Sequence, residues 1–195
     1  MYSNINNLNI SGLYVSFREI SMDDTDFIVS IRSDPNLNNL SLGINKEIHK
    51  QWYDNYYCKT DNDIYWIVYD KNNGKKIGTQ ALYNIDLSSK KAETGRTIIL
   101  KDYRIITFDV IYTVLKFGFC NLELNKIYGY VRNKNILNTW KVVGFKEEGY
   151  LRQHYWDGNQ YVDLYIISML KSEFEQYEIN TYPKYITALK RIYNI

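Results

Sequence analysis

The residue best suited to take part in a reaction is Glu93. It is a carboxylate that lies two positions before a glycine in a stretch rich in β-branched residues. Residues 92–100 are typical of a strand, and residues 101–122 are typical of a helix because their apolar side chains recur every three or four positions. A strand that leads directly into a helix presents unpaired backbone N–H groups at the helix start, where an anionic cofactor can bind. We therefore expect an anion-binding junction here, with Glu93 as the candidate base.

The length and composition of the chain indicate one α/β domain. Its 195 residues are enough for one full hydrophobic core, and its formal net charge of +2 gives no basis for a nucleic-acid or membrane-surface partner. The two cysteines, Cys58 and Cys120, have no metal-ligand spacing, and we expect no metal. Two free thiols in a reducing compartment are therefore favoured over a disulfide.

The predicted elements follow the order β-α-α-β-β-β-α-β-α-β-β and end in a helical tail. Asn45 is a candidate helix N-cap, the pair Asn73-Gly74 between two apolar runs predicts a hairpin, and Gly144 ends a short helix. Pro183 interrupts the tail. No linker divides the chain, so we expect a flexible segment at 1–12, one domain at 13–174 and a helical appendage at 175–195.

No stretch of the sequence approaches the length needed to span a membrane, and the polar N-terminus has no secretory pattern. We therefore expect a soluble, cytoplasmic protein with no membrane partner.

Three short motifs, each weak alone, resemble in their order and spacing those of the Gcn5-related N-acetyltransferases, the GNAT superfamily. The motifs are the segments 76–79 and 92–96, the segment 133–145, and the segment 147–152 with Gly158, Tyr161 and Asp163 behind it. Together they cover residues 14–174, and they are most similar to the branch that includes ribosomal-protein alanine and spermidine acetyltransferases. The resemblance implies a single GNAT domain, with a mixed, mostly antiparallel sheet of about seven strands, about four flanking helices and a C-terminal helical tail.

Within that branch, residues 45–52 and 93–99 look most like acetyltransferases of bacterial surface-sugar pathways. This finer resemblance implies that the acceptor is a small-molecule amine, an amino group on a nucleotide-linked sugar. A protein N-terminus or a polyamine is the alternative acceptor. A catalytically silent binding domain of the same fold is the alternative from another class of protein. The oligomeric state stays open, with a homodimer among the alternatives.

The resemblance also implies that acetyl-CoA is the co-substrate. Its pantetheine would pair like an additional strand beside Ile98, Ile99 and Leu100. Its pyrophosphate would lie on the amides at the start of the next helix, at Arg104, Ile105, Ile106, Thr107 and Phe108.

That helix start departs from the family pattern, which is glutamine or arginine, two residues, glycine, one residue, and glycine or alanine. This chain has Asp102, Ile105 and Thr107 at the three defined positions. We expect Ile105 to hinder a close approach or a positive φ and Asp102 to repel phosphate, with Arg104 offsetting that repulsion. The departure keeps the silent binding domain open as an alternative.

Acetylation of an amine by a thioester needs a deprotonated amine, a polarised carbonyl and a protonated leaving thiolate. By the resemblance, Glu93 is the general base, acting through water; the alternative is a surface carboxylate paired with Lys90 or Lys91. Trp140 lies where many relatives have a proton-donating tyrosine, and because an indole N–H does not titrate, we expect Trp140 to pack along the CoA arm. Asn133 resembles the family asparagine that contacts pantetheine or positions the thiol, a role compatible with a helix N-cap.

The candidates for acceptor binding are polar or aromatic residues outside these motifs or at their ends. They are His49, Trp52, Tyr161 and Asp163. His49 is predicted on a helix surface within reach of the substrate. His154, which alternates along a strand with Arg152, is predicted as structural, with the acceptor pocket as its alternative location. Trp52 could stack on a nucleotide base, although helix packing is the simpler use.

Overall fold

The structure, a computed structural model, describes residues 8–37 and 44–193; most of the predicted flexible segment at 1–12 lies outside them. The strands are β1 Val15–Glu19, β2 Ile64–Asp70, β3 Lys76–Asp86, β4 Lys91–Ile99, β5 Lys126–Val131, β6 Lys146–Trp156 and β7 Tyr161–Leu170. The helices are α1 Thr25–Ser33, α2 Lys46–Asn55, α3 Thr107–Lys116, α4 Lys134–Val142, α5 Lys171–Asn180 and α6 Tyr182–Tyr193.

The seven strands are hydrogen-bonded in the order β1-β2-β3-β4-β5-β7-β6. β4 and β5 are parallel, whereas β1–β2, β2–β3, β5–β7 and β6–β7 are antiparallel pairs. The order of elements along the chain is the predicted one. The predicted α/β fold with a mostly antiparallel sheet of seven strands is confirmed. Among the described residues, no helix is both long and apolar enough to cross a lipid bilayer.

The chain divides into two compact units, residues 1–84 with 96–113 and residues 85–95 with 114–195. One cluster of buried side chains in the first unit comes from β2, β3, α1 and the segments next to them. They are Ile20, Ile28, Tyr57, Tyr65, Ile67 and Ala81. Asn45 caps α2 as predicted, because its side chain accepts a hydrogen bond from the Ile48 amide at 2.9 Å.

β3 and β4 approach each other closely in the first unit at Gly78. A Cβ at this position would clash with the Ile98 carbonyl oxygen and would lie 2.7 Å from Ile99 Cδ1. The Leu100 amide donates a hydrogen bond to the Ile77 carbonyl oxygen at 2.9 Å, which continues the contact beyond β4. The strand proposed to carry the acyl donor is therefore held against β3 by main-chain contacts.

In the second unit, β5 buries alternate residues, and its buried face carries Ile127, Gly129 and Val131. The C-terminal tail is helical and packed: Leu189 is buried, and the Tyr185 hydroxyl donates a hydrogen bond to the Val142 carbonyl oxygen at 3.1 Å. The tail is broken two residues earlier than predicted, because α5 ends before Thr181 and Pro183 lies in the first turn of α6. Proline is tolerated there, since first-turn amides have no intrahelical acceptor.

Candidate active site

Glu93 is buried on an interior strand of the sheet, with 9% of its surface exposed. The parallel ladder between β4 and β5 consists of three pairs and ends at Glu93 opposite Tyr128. Residues directly opposite in a ladder present their side chains on the same face of the sheet. The alternative of a surface carboxylate is therefore wrong, because Glu93 is buried on an interior strand.

Tyr128 is a neighbour of Glu93 that the sequence did not single out. Burial raises the pKa of the Tyr128 phenol, and the negative charge of Glu93 raises it further. Tyr128 therefore remains a protonated hydrogen-bond donor at neutral pH. Gly129 lets β5 come close to β4 beside this pair, because a Cβ there would lie 2.9 Å from the Thr94 carbonyl oxygen.

β4 continues into the first unit through Arg96, whose φ of +52° is in the left-handed region. The Arg96 guanidinium makes two hydrogen bonds to the carboxylate of Asp63, at 2.7 and 2.8 Å. The rings of Trp52, Tyr65 and Tyr83 surround it, with centroids 5.2, 5.1 and 4.5 Å from Cζ. The paired charges and the aromatic box hold β4 in this conformation, and they give Trp52 a packing role.

The segment after β4 is a 3-10 turn, Lys101–Ile106, that leads directly into α3. No residue of 101–107 in the described structure has a positive φ, so the expected conformational need for glycine at Ile105 and Thr107 does not arise. Ile98 and Ile106 are buried, whereas Ile99, Leu100, Ile105, Thr107 and Phe108 are partly buried. Arg104 and Asp102 are exposed on the turn, so the Arg104 guanidinium is available to solvent near the helix start.

The second unit confirms Asn133 as a helix N-cap and shows Trp140 as a buried packing residue. Asn133 is the N-cap of α4, and its side chain accepts a hydrogen bond from the Asn135 amide at 2.7 Å. Trp140 is buried and packs edge-on against Phe145, with ring centroids 4.7 Å apart. Contacts of either residue with a donor remain predictions.

His49 is not on a helix surface, and that prediction is wrong. It is 2% exposed, and its Nδ1 lies 3.2 Å from Thr25 Oγ1 on α1. Its Nε2 has no hydrogen-bond partner among the described residues. Burial lowers the pKa of the His49 imidazole, and the charge of Arg32 lowers it further, whereas Asp24 opposes the shift. The neutral imidazole is thus the form that the folded unit favours.

His49 is expected to make the protein less stable in mild acid. Because the folded pKa is below the ordinary value of 6.5, the unfolded chain binds the proton more readily, and the free energy of unfolding falls as the pH drops below that value. Thermal unfolding between pH 8 and pH 5 should show a smaller decrease in Tm for His49→Gln than for the unchanged protein. The other histidine provides the control: His154→Gln should keep the full decrease, and equal curves for all three proteins would contradict the assignment to His49.

The remaining acceptor candidates lie on the hairpin of β6 and β7. Tyr161 is 63% exposed and packs edge-on against Trp156, with centroids 5.1 Å apart. Asp163 Oδ1 accepts a hydrogen bond from the Gln153 amide at 2.8 Å. His154, predicted as structural, is exposed and lines a cavity of about 750 Å³ together with Asp163. The structure therefore brings His154 and Asp163 together and leaves Tyr161 outside the wall of that cavity.

The predicted site residues are distributed over both units. The first unit contains the proposed donor strand and turn with His49 and Trp52, whereas the second contains Glu93, Asn133, Trp140, Tyr161 and Asp163. Within the described residues, no group of three or more histidine, cysteine, aspartate or glutamate side chains is arranged to hold a metal ion.

The mixed seven-stranded sheet, with a buried carboxylate on β4, is consistent with an acetyltransferase fold, and comparison with known families identifies it. The family described as acetyltransferase (GNAT) domain matches residues 15–139, and the chain belongs to that family. A curated relative, the uncharacterized N-acetyltransferase p20 of Bacillus licheniformis, is 27% identical over 110 residues, which are 53% of this chain. The chain spans about 60% of the length of that relative.

Solved structures share the fold. A chimera of the spermidine N-acetyltransferase SpeG from Vibrio cholerae and hSSAT superposes with a TM-score of 0.75 at 21% identity, covering 83% of this chain and 98% of the other. The spermidine N-acetyltransferase from Vibrio cholerae in complex with CoA and spermine superposes with a TM-score of 0.74, with the same identity and coverage. The predicted membership of the GNAT superfamily is thus confirmed.

Proposed function

We propose that this protein is an N-acetyltransferase that transfers the acetyl group of acetyl-CoA to a primary amine. The observation that carries the proposal is the buried Glu93 beside Tyr128 on β4, within a chain that belongs to the GNAT family. A carboxylate held in place on a strand and shielded from bulk water can take a proton from a bound amine, directly or through one water molecule.

Donor binding is assigned to the first unit. The main chain of Ile98, Ile99 and Leu100 pairs with the pantetheine, and the amides of residues 104–108 at the start of α3 receive the pyrophosphate, with the exposed Arg104 as a counter-charge. Arg96, with its left-handed φ, lies on β4 just before Ile98. Its salt bridge to Asp63 therefore also fixes the direction of the strand where it reaches the donor-binding residues.

The transfer itself is a direct attack of the amine on the thioester. Glu93 takes one proton of the substrate ammonium through a water molecule, the amine nitrogen bonds to the carbonyl carbon, the carbon–sulfur bond breaks, and the nitrogen gives its second proton to solvent. The thiolate then takes a proton from solvent or from a tyrosine, since Trp140 cannot supply one. Tyr128 is the tyrosine that lies beside the base; its raised pKa keeps it protonated at neutral pH but also makes it a weaker acid than an ordinary phenol, so solvent is the simpler proton source.

The acceptor that we propose is an amino group on a nucleotide-linked sugar. A polyamine is the second candidate, because solved proteins of this fold include a spermidine N-acetyltransferase bound to spermine. At 21% identity that likeness supports the fold and does not select the acceptor. Release of CoA thiol with amino sugar nucleotides, spermidine and N-terminal peptides would rank the three acceptor classes.

Calorimetric titration with acetyl-CoA tests the proposal directly. We expect one binding site with a Kd in the range of common KM values, roughly 1 μM to 1 mM. Arg104→Gln is expected to weaken donor binding severalfold because it removes an exposed cation close to the start of α3, whereas Lys190→Gln on α6 should leave it unchanged. The absence of heat at millimolar acetyl-CoA would contradict the proposal that the protein is an acetyltransferase. It would favour the silent binding domain, the alternative that the glycine-poor turn at 101–106 supports.

A further inference from the structure

We propose that the cavity on the β6–β7 hairpin is a subsite for the nucleoside phosphate portion of the acceptor. Its wall is formed by Tyr150, Leu151, Arg152, Gln153, His154 and Asp163, and its volume is about 750 Å³. The inference rests on the proposed acetyl transfer, since it names the part of the acceptor that this hairpin holds. It adds Tyr150, Arg152 and His154 to the residues that recognise substrate.

An irregularity in strand pairing creates this cavity. Leu151 pairs with Leu164, and the next paired residue of β6 is Tyr155, which is opposite Val162. Between these two pairs, β6 has three residues, 152–154, and β7 has one, Asp163. The bulge on β6 therefore contains two extra residues. Gln153 has a φ of +49° at the centre of this bulge, and its amide donates to Asp163 Oδ1 at 2.8 Å. Such bulges redirect side chains, and this one turns a run of polar side chains into a concave surface.

The uncommitted groups in the wall suit a phosphate. Arg152 and His154 are exposed, and their side chains have no hydrogen-bond or ion-pair partner among the residues that the structure describes. A guanidinium presents a fork of donors that matches phosphate oxygens, and a histidine ring adds a further N–H donor. Asp163 also lies in the wall, where its Oδ1 accepts the Gln153 amide, so Arg152 is the positive charge of the cavity and Asp163 its negative one.

Two other wall residues suit the nucleoside. Tyr150 is 53% exposed, so its ring offers an aromatic face on which a base can stack. The second oxygen of the Asp163 carboxylate can accept a hydrogen bond from a sugar hydroxyl, as acidic residues do in dinucleotide sites. Base, sugar and phosphate thus each have a matching group within one cavity.

The strand register places this cavity some distance from Glu93 within the second unit. Glu93 is level with Tyr128, which pairs with Ser168, and Asp163 is five residues farther along β7. At about 3.3 Å per residue, five residues correspond to roughly 16 Å. An acceptor that reaches from one to the other is extended, as a nucleoside diphosphate sugar is. A polyamine is also extended, but it has neither a phosphate to pair with Arg152 nor a base to stack on Tyr150.

Calorimetry on the full-length protein saturated with CoA tests the subsite, because bound CoA prevents nucleotides from occupying the donor site. We titrate UDP, TDP, GDP and CDP, and expect at least one of them to bind. Arg152→Gln should weaken that binding at least tenfold, and Lys190→Gln should not change it. Tyr150→Ala should weaken it as well, whereas Tyr150→Phe, which keeps the ring, should retain it.

The outcomes separate the subsite from the proposed function. If CoA binds normally and none of the nucleoside diphosphates gives heat at millimolar concentration, the subsite is wrong and the acetyl transfer stands. Unchanged nucleotide affinity in Arg152→Gln would likewise overturn the subsite. If acetyl-CoA itself gives no heat, the proposed function fails first. Both Arg152 and Tyr150 are exposed, so their variants are expected to fold normally.

Discussion

Glu93→Gln is expected to lower kcat/KM for amine acetylation by about 10²- to 10⁴-fold, the contribution that a positioned general base usually makes. Glutamine keeps the shape of the side chain and its place beside Tyr128 but cannot accept a proton. The decrease should be largest at low pH, where the acceptor arrives as an ammonium ion and removal of its proton depends most on the base. Steady-state assays of CoA thiol release between pH 6 and pH 9 measure the effect.

The control is a second carboxylate in the same unit. Glu175 is exposed on α5, so Glu175→Gln removes one negative charge and should leave kcat/KM unchanged. Acetyl-CoA affinity, measured by calorimetry, should be the same in both variants and in the unchanged protein. Turnover that is unaffected in Glu93→Gln would show that Glu93 is a structural carboxylate and that another group or solvent is the base.

Arg96→Met is expected to destabilise the protein by about 3–5 kcal/mol, because it leaves the fully buried carboxylate of Asp63 without its counter-charge. For a chain of this size that loss corresponds to a decrease in Tm of roughly 10 °C. The variant also removes the guanidinium from the aromatic box formed by Trp52, Tyr65 and Tyr83, so part of the loss comes from its contacts with the three rings. Chemical denaturation followed by circular dichroism gives the free energy of unfolding.

A double variant separates the charge from the packing. Arg96→Met combined with Asp63→Leu removes both buried charges, and we expect it to be more stable than Arg96→Met alone. The surface pair of Lys46 and Asp26, whose side chains are 62% and 72% exposed, gives the comparison: Asp26→Asn should cost less than about 1 kcal/mol. Equal stability of Arg96→Met and Asp26→Asn would show that the buried pair contributes no more than a surface one.

Glu93→Gln and Arg96→Met change two different residues of the same strand, β4. Glu93 lies where β4 still pairs with β5, and Arg96 lies where the strand turns through a left-handed φ. Loss of activity with unchanged stability is expected for the first variant, and loss of stability for the second. Measuring both quantities for both variants therefore distinguishes a catalytic residue from a residue that only positions the strand.

Elements whose signals are local could be predicted from the residues alone. Asn45 caps α2 because an asparagine side chain reaches an amide three positions ahead, and Gly144 ends α4 because glycine accepts the left-handed φ of +101° found there. The same holds for the hairpin at Asn73-Gly74. The family resemblance likewise selected Glu93 and the strand–helix junction, since its motifs are short and close together in the chain.

Contacts between distant segments were decided by the tertiary structure. His49 is polar and lies on a helix with other polar residues, so its sequence context indicates the surface, yet the packing of α2 against Thr25 of α1 buries it. Asp63 is the partner of Arg96 although 33 positions separate them, and no local pattern relates the two. The backbone conformation at Ile105 was decided in the same way, because the 3-10 turn has no positive φ there; hindrance of a close approach by the Ile105 side chain remains a prediction.

The junction of β4 and α3, with Glu93 before it, follows from the amino-acid pattern, because side-chain periodicity and β-branching act over a few residues. The partner of Glu93, the bend at Arg96 and the cavity at Arg152 depend on strand register, which is set by packing over the whole sheet. A shift of one residue in that register would turn Tyr128 away from Glu93. The sequence therefore determines which reactive groups this protein has, and the folded sheet determines which of those groups lie next to one another.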